Sequence, residues 1–273
     1  MRTVQGYRHP DGRVGLRRHI LVLPSVMCAN KVVEHAAQAR GVPYVIHPVG
    51  CAQVGADLAA TAASLEGLAW HGNVFGVVIV SLGCEALAAQ GLLKAVRTRS
   101  GCAHLVRIQD AGSSRDAEQA VAAILEDLDA ERERTGPARL EPGEVRVAIL
   151  SSEEPDPATA GLENALRAEG FQVRTAIAGA EDPGAAASRL AVDGAHLVIA
   201  VGHPYPLGLP VVPVLNIWPG ASAPAGLAGD FDLVDGSPEE ALRLLDSFWE
   251  GEPTLAERAE LWSFVVDRKG PTL

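Results

Sequence analysis

Four groups of reactive side chains each follow a short apolar run. Cys28 and Asn30 follow Ile20-Leu21-Val22-Leu23-Pro24-Ser25-Val26, and His47, Cys51 and Gln53 follow Tyr44-Val45-Ile46. Cys84 and Glu85 follow Val77-Val78-Ile79-Val80, and Gln109 and Asp110 follow Leu105-Val106-Arg107-Ile108. Thiolate and imidazole suit zinc or iron and a carboxylate adds a harder ligand, so His47, Cys51, Cys84 and Glu85 together have the composition of a transition-metal site. The sequence contains no CxxC pair, which argues against a closed structural zinc site. Any one of these cysteines, taken alone, is as readily a small buried hydrophobe as a ligand. Their joint placement after successive runs favours chemistry, and Cys102 is set aside because it precedes its run.

Positioning such groups together requires strands whose ends coincide. From His19 onward, β-branched runs alternate with Ala/Leu-rich stretches of helical period, which predicts βα repeats around a parallel sheet. Helices are expected over 30–40, 57–70, 85–97 and 114–134. Ligands of an open parallel sheet bind beyond the carboxyl ends of its strands, so the four groups would share one edge. The stretch from Thr135 to Glu144 is polar and rich in Pro and Gly and reads as a boundary. The expected fold is α/β, two Rossmann-like parallel βα domains: an N-terminal one over 1–136, a linker over 137–144 and a smaller C-terminal one over 145–273. In the second, strands are expected over 145–150, 172–176, 197–201 and 211–217, and helices over 160–170, 183–191 and 238–249.

Composition narrows the function further. The 273 residues hold 23 Lys and Arg against 34 Asp and Glu, a net charge of −11, so the chain lacks the positive footprint of a nucleic-acid binder. At 48% hydrophobic and 21% charged it is too apolar for a disordered chain. No apolar run approaches the ~20 residues that span a bilayer, and the first residues lead into polar sequence rather than a signal-peptide core, so a cytoplasmic protein with no membrane partner is expected. Its four cysteines are accordingly expected to be reduced. Gly12-Arg13-Val14-Gly15 is not a G-x-G-x-x-G fingerprint, and there is neither a Walker motif nor a G-x-S-x-G elbow.

In the second half, His203 follows a predicted strand within Gly202-His203-Pro204-Tyr205-Pro206-Leu207-Gly208 and is a candidate for substrate binding. The acidic run Glu153-Glu154-Pro155-Asp156 reads more simply as solvated helix caps. His71, at a helix-to-strand turn on the opposite sheet edge, reads as a turn residue.

Several segments together resemble a known family. These are Gly6-Tyr7-Arg8-His9-Pro10-Asp11-Gly12-Arg13-Val14-Gly15-Leu16-Arg17, Leu23-Pro24-Ser25-Val26-Met27-Cys28-Ala29-Asn30, His47-Pro48-Val49-Gly50-Cys51-Ala52-Gln53 and Leu82-Gly83-Cys84-Glu85. In order and spacing they are similar to altronate and galactarate dehydratases, a sugar-acid dehydratase family whose relatives include the sulfolactate sulfo-lyase large subunit. Ile108-Gln109-Asp110-Ala111-Gly112, the stretch from Gly194 to Ile217 and the closing Lys269-Gly270-Pro271-Thr272-Leu273 extend the resemblance. The sequence departs from the family at four places. The small amino-terminal β domain and a long internal segment of full-length members are missing. Ser151-Ser152-Glu153-Glu154 stands where the family has Cys-Gly-Gly-Ser-Asp, and Arg18 replaces an asparagine.

The resemblance implies a hydro-lyase. A base takes the proton α to a carboxylate, the β-hydroxyl leaves, and the enol becomes a 2-keto-3-deoxy acid. A divalent metal, iron by resemblance with manganese or zinc as alternatives, would stabilise the enediolate. By the same resemblance His47, Cys51, Cys84 and Glu85 form the metal and acid/base shell, and Asn30, Gln53 and Gln109 recognise hydroxyl or carboxylate groups. Arg17 is the expected carboxylate clamp, because a planar guanidinium matches that group bidentately; its structural alternative is a surface ion pair. The expected partners are a small hydroxy-acid or sugar-acid substrate, further copies of the chain in a homo-oligomer, and a separate small β-domain subunit. The apolar loops over 204–213 and 217–227 suggest that the second domain and an oligomer cover the site. Two alternatives stand beside this reading: a non-catalytic binding or regulatory subunit, and a lyase for smaller hydroxy acids using Glu153 or His203.

Overall fold

The computed structural model describes residues 3–100, 102–153, 157–220, 223–224, 226–235 and 238–269. After β1 (Val4–Arg8) and β2 (Val14–Gly15) comes a βα unit of β3 (His19–Pro24), α1 (Asn30–Gln38), α2 (Gly55–Ala69), β4 (Val74–Ser81), α3 (Ala89–Ser100), β5 (Ala103–Arg107), the single turn α4 (Ile108–Ala111) and α5 (Ser114–Arg132). β6 (Ala138–Leu140) leads into a second unit of β7 (Arg146–Ser151), α6 (Pro157–Ala168), β8 (Gln172–Ile177), α7 (Pro183–Val192), β9 (Leu197–Val201), β10 (Val214–Trp218), β11 (Leu233–Val234), α8 (Pro238–Trp249) and α9 (Leu255–Arg258). None of the described helices is long and apolar enough to cross a membrane.

The first unit is a parallel sheet in the order β3-β4-β5. Its central strand is buried along its whole length, which is why it reads as an unbroken apolar run rather than an alternating one. One face packs Ile20, Val22, Val78 and Val80 against Val33, Val121 and Leu125 of α1 and α5. The other packs Leu21, Leu23, Val77 and Ile79 against Leu65, Leu68, Leu92 and Val96 of α2 and α3. The expected strand at Tyr44 is reduced to one parallel bridge with Val22. Pro43 and Pro48, which have no N–H to donate, flank the run, and Ile46 is exposed.

The second unit is a parallel sheet in the order β11-β10-β9-β7-β8. Together the two units give the expected α/β architecture of parallel Rossmann-like sheets. Val147, Ile149, Leu197 and Ile199 face Leu162, Leu166, Leu245 and Trp249 of α6 and α8. Ala148, Leu150, Val198 and Ala200 face α7, in the same cluster as Leu21, Ile79 and α2, so the units share one core. Gly67 of α2 lies against Val192 of α7, where a Cβ would sit 2.7 Å from Cγ1.

Two expectations are corrected here. The 137–144 segment, read as a linker, contains β6, which pairs antiparallel with β1 so that Leu140 meets Val4 in the core. A three-residue strand with one buried apolar side chain is too short to show a period. The apolar loop over 204–213 is no cover for the first sheet, because Leu207, Leu209, Val211 and Val212 are buried in the shared core. The 217–227 loop lies partly outside the described residues.

The seam between the units is polar. Asn73 is fully buried; its Oδ1 accepts from Leu16 N–H at 2.8 Å, and its Nδ2 donates to His196 O and Val211 O, each at 3.0 Å. His71 donates from Nε2 to Ala195 O at 3.0 Å and accepts Asn73 N–H at Nδ1, so it bridges the units rather than merely ending a helix. Its ring meets that of His196 edge-on at 5.9 Å. Asn73→Ala would strip three buried backbone groups of their partner, and urea denaturation is expected to show a loss of about 3 kcal/mol or more.

The seam also sets a pH dependence. Burial and the neighbouring Arg146 hold His196 down to about 3, and burial pushes His71 well below the ordinary imidazole value. Both rings stay neutral in the folded state, while the unfolded chain takes up protons as pH falls through ~6.5. Stability is therefore complete above that value and is lost below it, by up to about 1.4 kcal/mol per pH unit for each ring. Urea midpoints taken from about pH 7 to about pH 5 should fall, and His196→Gln should flatten that fall.

Candidate active site

The carboxyl ends of β3 and β4 and the loop over 45–56 meet at one edge of the first sheet. Ser25, just past β3, donates its N–H to Val80 O at 2.9 Å and its hydroxyl to Glu85 Oε1 at 2.8 Å. Glu85 Oε2 accepts Gly83 N–H at 2.7 Å, so both carboxylate oxygens are fixed. Gly50 presses onto the end of β3 with φ +98°, and a Cβ there would lie 2.4 Å from Ser25 O, so no other residue fits. On either side of it, Met27 N–H donates to Val49 O at 2.9 Å and Ala86 N–H to Gly50 O at 3.2 Å. These bonds bring the backbones next to Cys28, Cys51 and Cys84 together at one rim, where all three thiols are free and exposed.

The expected metal shell does not form from these residues. His47 is buried with both ring nitrogens spent on backbone: Nε2 donates to Pro24 O at 2.8 Å, and Nδ1 accepts Val49 N–H at 3.3 Å. Among the described residues no group of three or more His, Cys, Asp and Glu side chains is placed to hold a metal ion. His47 is a structural residue of the loop, kept below its ordinary pKa by burial.

Other expected contacts also turn inward. Asn30 donates from Nδ2 to His47 O at 3.0 Å and clamps the loop. Gln53 is buried, with Oε1 taking Gly50 N–H at 2.9 Å and Nε2 donating to Asp57 and Thr61. Arg17 lies before β3, at the opposite end of the strand from the rim. Its guanidinium grips Glu257 through two bonds of 2.6 and 2.9 Å and stacks 5.0 Å from the Phe248 ring centre, which leaves no clamp for a substrate. His203 is buried beyond β9, with Nε2 donating to Leu150 O at 3.1 Å. Glu153 is exposed, and 154–156 lie outside the described residues. Cys102 sits at the entry to β5, where burial raises its thiol pKa.

Gln109 does reach the rim: it is exposed, and a Cβ on Gly83 would lie 2.3 Å from its Oε1. Two rim residues escape sequence reasoning. Ser25 hides inside an apolar run, and only its hydroxyl beside Glu85 gives it a role. Arg107, the last residue of β5, places its Cδ 3.0 Å from the position of a Gly83 Cβ and bonds Asp110 at 2.9 Å. It is a cation at the end of a parallel strand, which is the signal that could have found it.

Residues 6–131 match the sequence model of the D-galactarate dehydratase/Altronate hydrolase second domain. The altronate dehydratase of Escherichia coli (strain K12) is 35% identical over 95 residues, 31% of this chain and 19% of that protein. The (2R)-sulfolactate sulfo-lyase subunit beta of Chromohalobacter salexigens is 38% identical over 82 residues, 30% of this chain and 21% of that subunit. The altronate dehydratase of Bacillus subtilis (strain 168) is 32% identical over 95 residues, 31% of this chain and 19% of that protein. The matches span about a fifth of the length of these relatives. With the motif-bearing loops gathered at one sheet edge and inside the matched segment, residues 6–131 carry the sequence pattern of the second domain of the altronate/galactarate dehydratase family.

Proposed function

We propose that the chain supplies the base-bearing part of a lyase that removes water from a hydroxy acid or sugar acid. The observation that carries this reading is the Glu85 carboxylate, fixed at the rim by Ser25 and Gly83, with the side chain of Arg107 passing close to Gly83. Glu85 takes the proton α to the substrate carboxylate. The electron pair left on carbon expels the β-hydroxyl, which departs as water with a proton from a general acid, for which the Cys84 thiol is the candidate. The enol then tautomerises to a 2-keto-3-deoxy acid. Arg107 offers the planar fork that binds the substrate carboxylate, the role expected of Arg17, and stabilises the charge that develops there. Gln109 lines the same edge for hydroxyl recognition.

The rim is open. Met27, Ile46 and Val54 are exposed at 48%, 49% and 76% around it, and an elimination intermediate has to be shielded from water. A second copy of this chain or a separate subunit completes the site in this reading, in keeping with the short span of the matches and with one relative's being a subunit. A binding subunit without turnover is the second reading, favoured by the spent imidazole of His47. It would bind hydroxy acids and form no keto acid.

Keto-acid formation from a panel of aldonates and aldarates tests the reading. Glu85→Gln is expected to lower kcat by about 100-fold or more without changing the melting temperature, as for loss of a general base. Unchanged turnover would exclude Glu85 as the base. Arg107→Gln should act mainly on KM, raising it about tenfold, the equivalent of ~1.4 kcal/mol of carboxylate binding. Cys84→Ala should leave the melting temperature unaltered, since the thiol is exposed, and reduce kcat; a large drop in melting temperature would instead mark Cys84 as packing.

A further inference from the structure

The segment after α9 crosses from the second unit to the first. Ser263 N–H donates to Gly208 O at 3.3 Å and Val265 N–H to Ser188 Oγ of α7 at 2.9 Å, and Val266 is buried in the shared core. The segment then touches the two residues that bracket the rim loop. Before the loop, the Trp262 ring meets Tyr44 edge-on with centres 5.4 Å apart. After it, Arg268 Nη2 reaches Asp57 Oδ2 at 2.9 Å, and Lys269 N–H donates to Asp57 Oδ1 at 2.9 Å. Asp57 Oδ2 also accepts from Gln53 Nε2 at 2.7 Å, and Gln53 Oε1 in turn accepts Gly50 N–H.

We infer that Asp57 is a positioning residue for the rim, and that the 262–269 segment is a strap which, through Asp57 and Gln53, holds Gly50 against Ser25 and so sets the place of Glu85. The physical case is a two-ended grip. A loop whose entry and exit are both tied to an outside segment loses conformational freedom, and the close approach of Gly50 to Ser25 is a backbone contact that this freedom could relax. Arg268 keeps the Asp57 carboxyl well below the ordinary carboxylate range, so the grip is charge-assisted. The catalytic consequence rests on the lyase reading above; the mechanical claim does not.

Amide exchange followed by mass spectrometry on the full chain tests it. In Arg268→Gln, which alters a partly exposed side chain, exchange in the peptide covering 45–56 is expected to rise about tenfold while β4 stays protected, and Arg268→Lys should restore most of the protection. Asp57→Ala, which removes the acceptor for Gln53 as well, should raise it at least as much. Loosening of 262–269 without any change over 45–56 overturns the strap, and no change over 45–56 in Asp57→Ala overturns the positioning role. Should the loop loosen as expected in a protein whose parent shows no turnover of any hydroxy acid, the lyase reading fails and the strap stands. If the parent turns over, Arg268→Gln should lower kcat at a similar KM.

Discussion

The rim depends on how closely one backbone passes another. At Gly50 the loop after Tyr44 lies against the carbonyl of Ser25, a separation that any side chain would prevent. With that approach in place, Val49 and Gly50 offer their carbonyls to Met27 and Ala86, and three loops from different parts of the chain become one body. The carboxylate of Glu85 is anchored to two of them. If Gly50 stood farther out, Asn30, His47 and Gln53 would have nothing to brace, since their bonds all run to this loop or to its neighbours.

The second organising feature is the choice of polar rather than apolar contact where the units meet. Asn73 and His71 satisfy backbone groups of both units in a volume closed to water, and such contacts fix one relative placement where a greasy seam would tolerate several. Beside it, α2 and α7 supply the apolar area, brought close by the missing side chain of Gly67. The helix that starts beside the rim loop therefore also fastens the second unit.

Much of this was legible in the residues. The strands that became β3, β4, β7, β8 and β9 announce themselves as β-branched runs, and the late helix over 238–249 was read to the residue. The pairing of β1 with β6 was not legible, because it joins residues more than 130 positions apart through three-residue contacts that carry no period. At the site, residue types and strand ends predicted which loops to compare, but not what each side chain does. His47 and Arg17 look like ligand and clamp in sequence because their chemistry is versatile. A backbone carbonyl and a distant glutamate claim them, and neither partner is visible without the fold. Ser25 and Arg107 are hard to single out for the converse reason, because in sequence they are ordinary members of strand runs.

The Arg268 contact has a consequence in time. Asp57 and Arg268 are 211 residues apart, and synthesis at ~5–20 residues per second puts ~10–40 s between their appearance. The strands and helices of the first sheet are all synthesised long before then, so its reactive edge waits unclasped. The clasp arrives only after the second unit has been made, so a ribosome-bound or truncated chain would carry the sheet without its fastening. Completion of the edge thus reports that the second unit has been translated and folded.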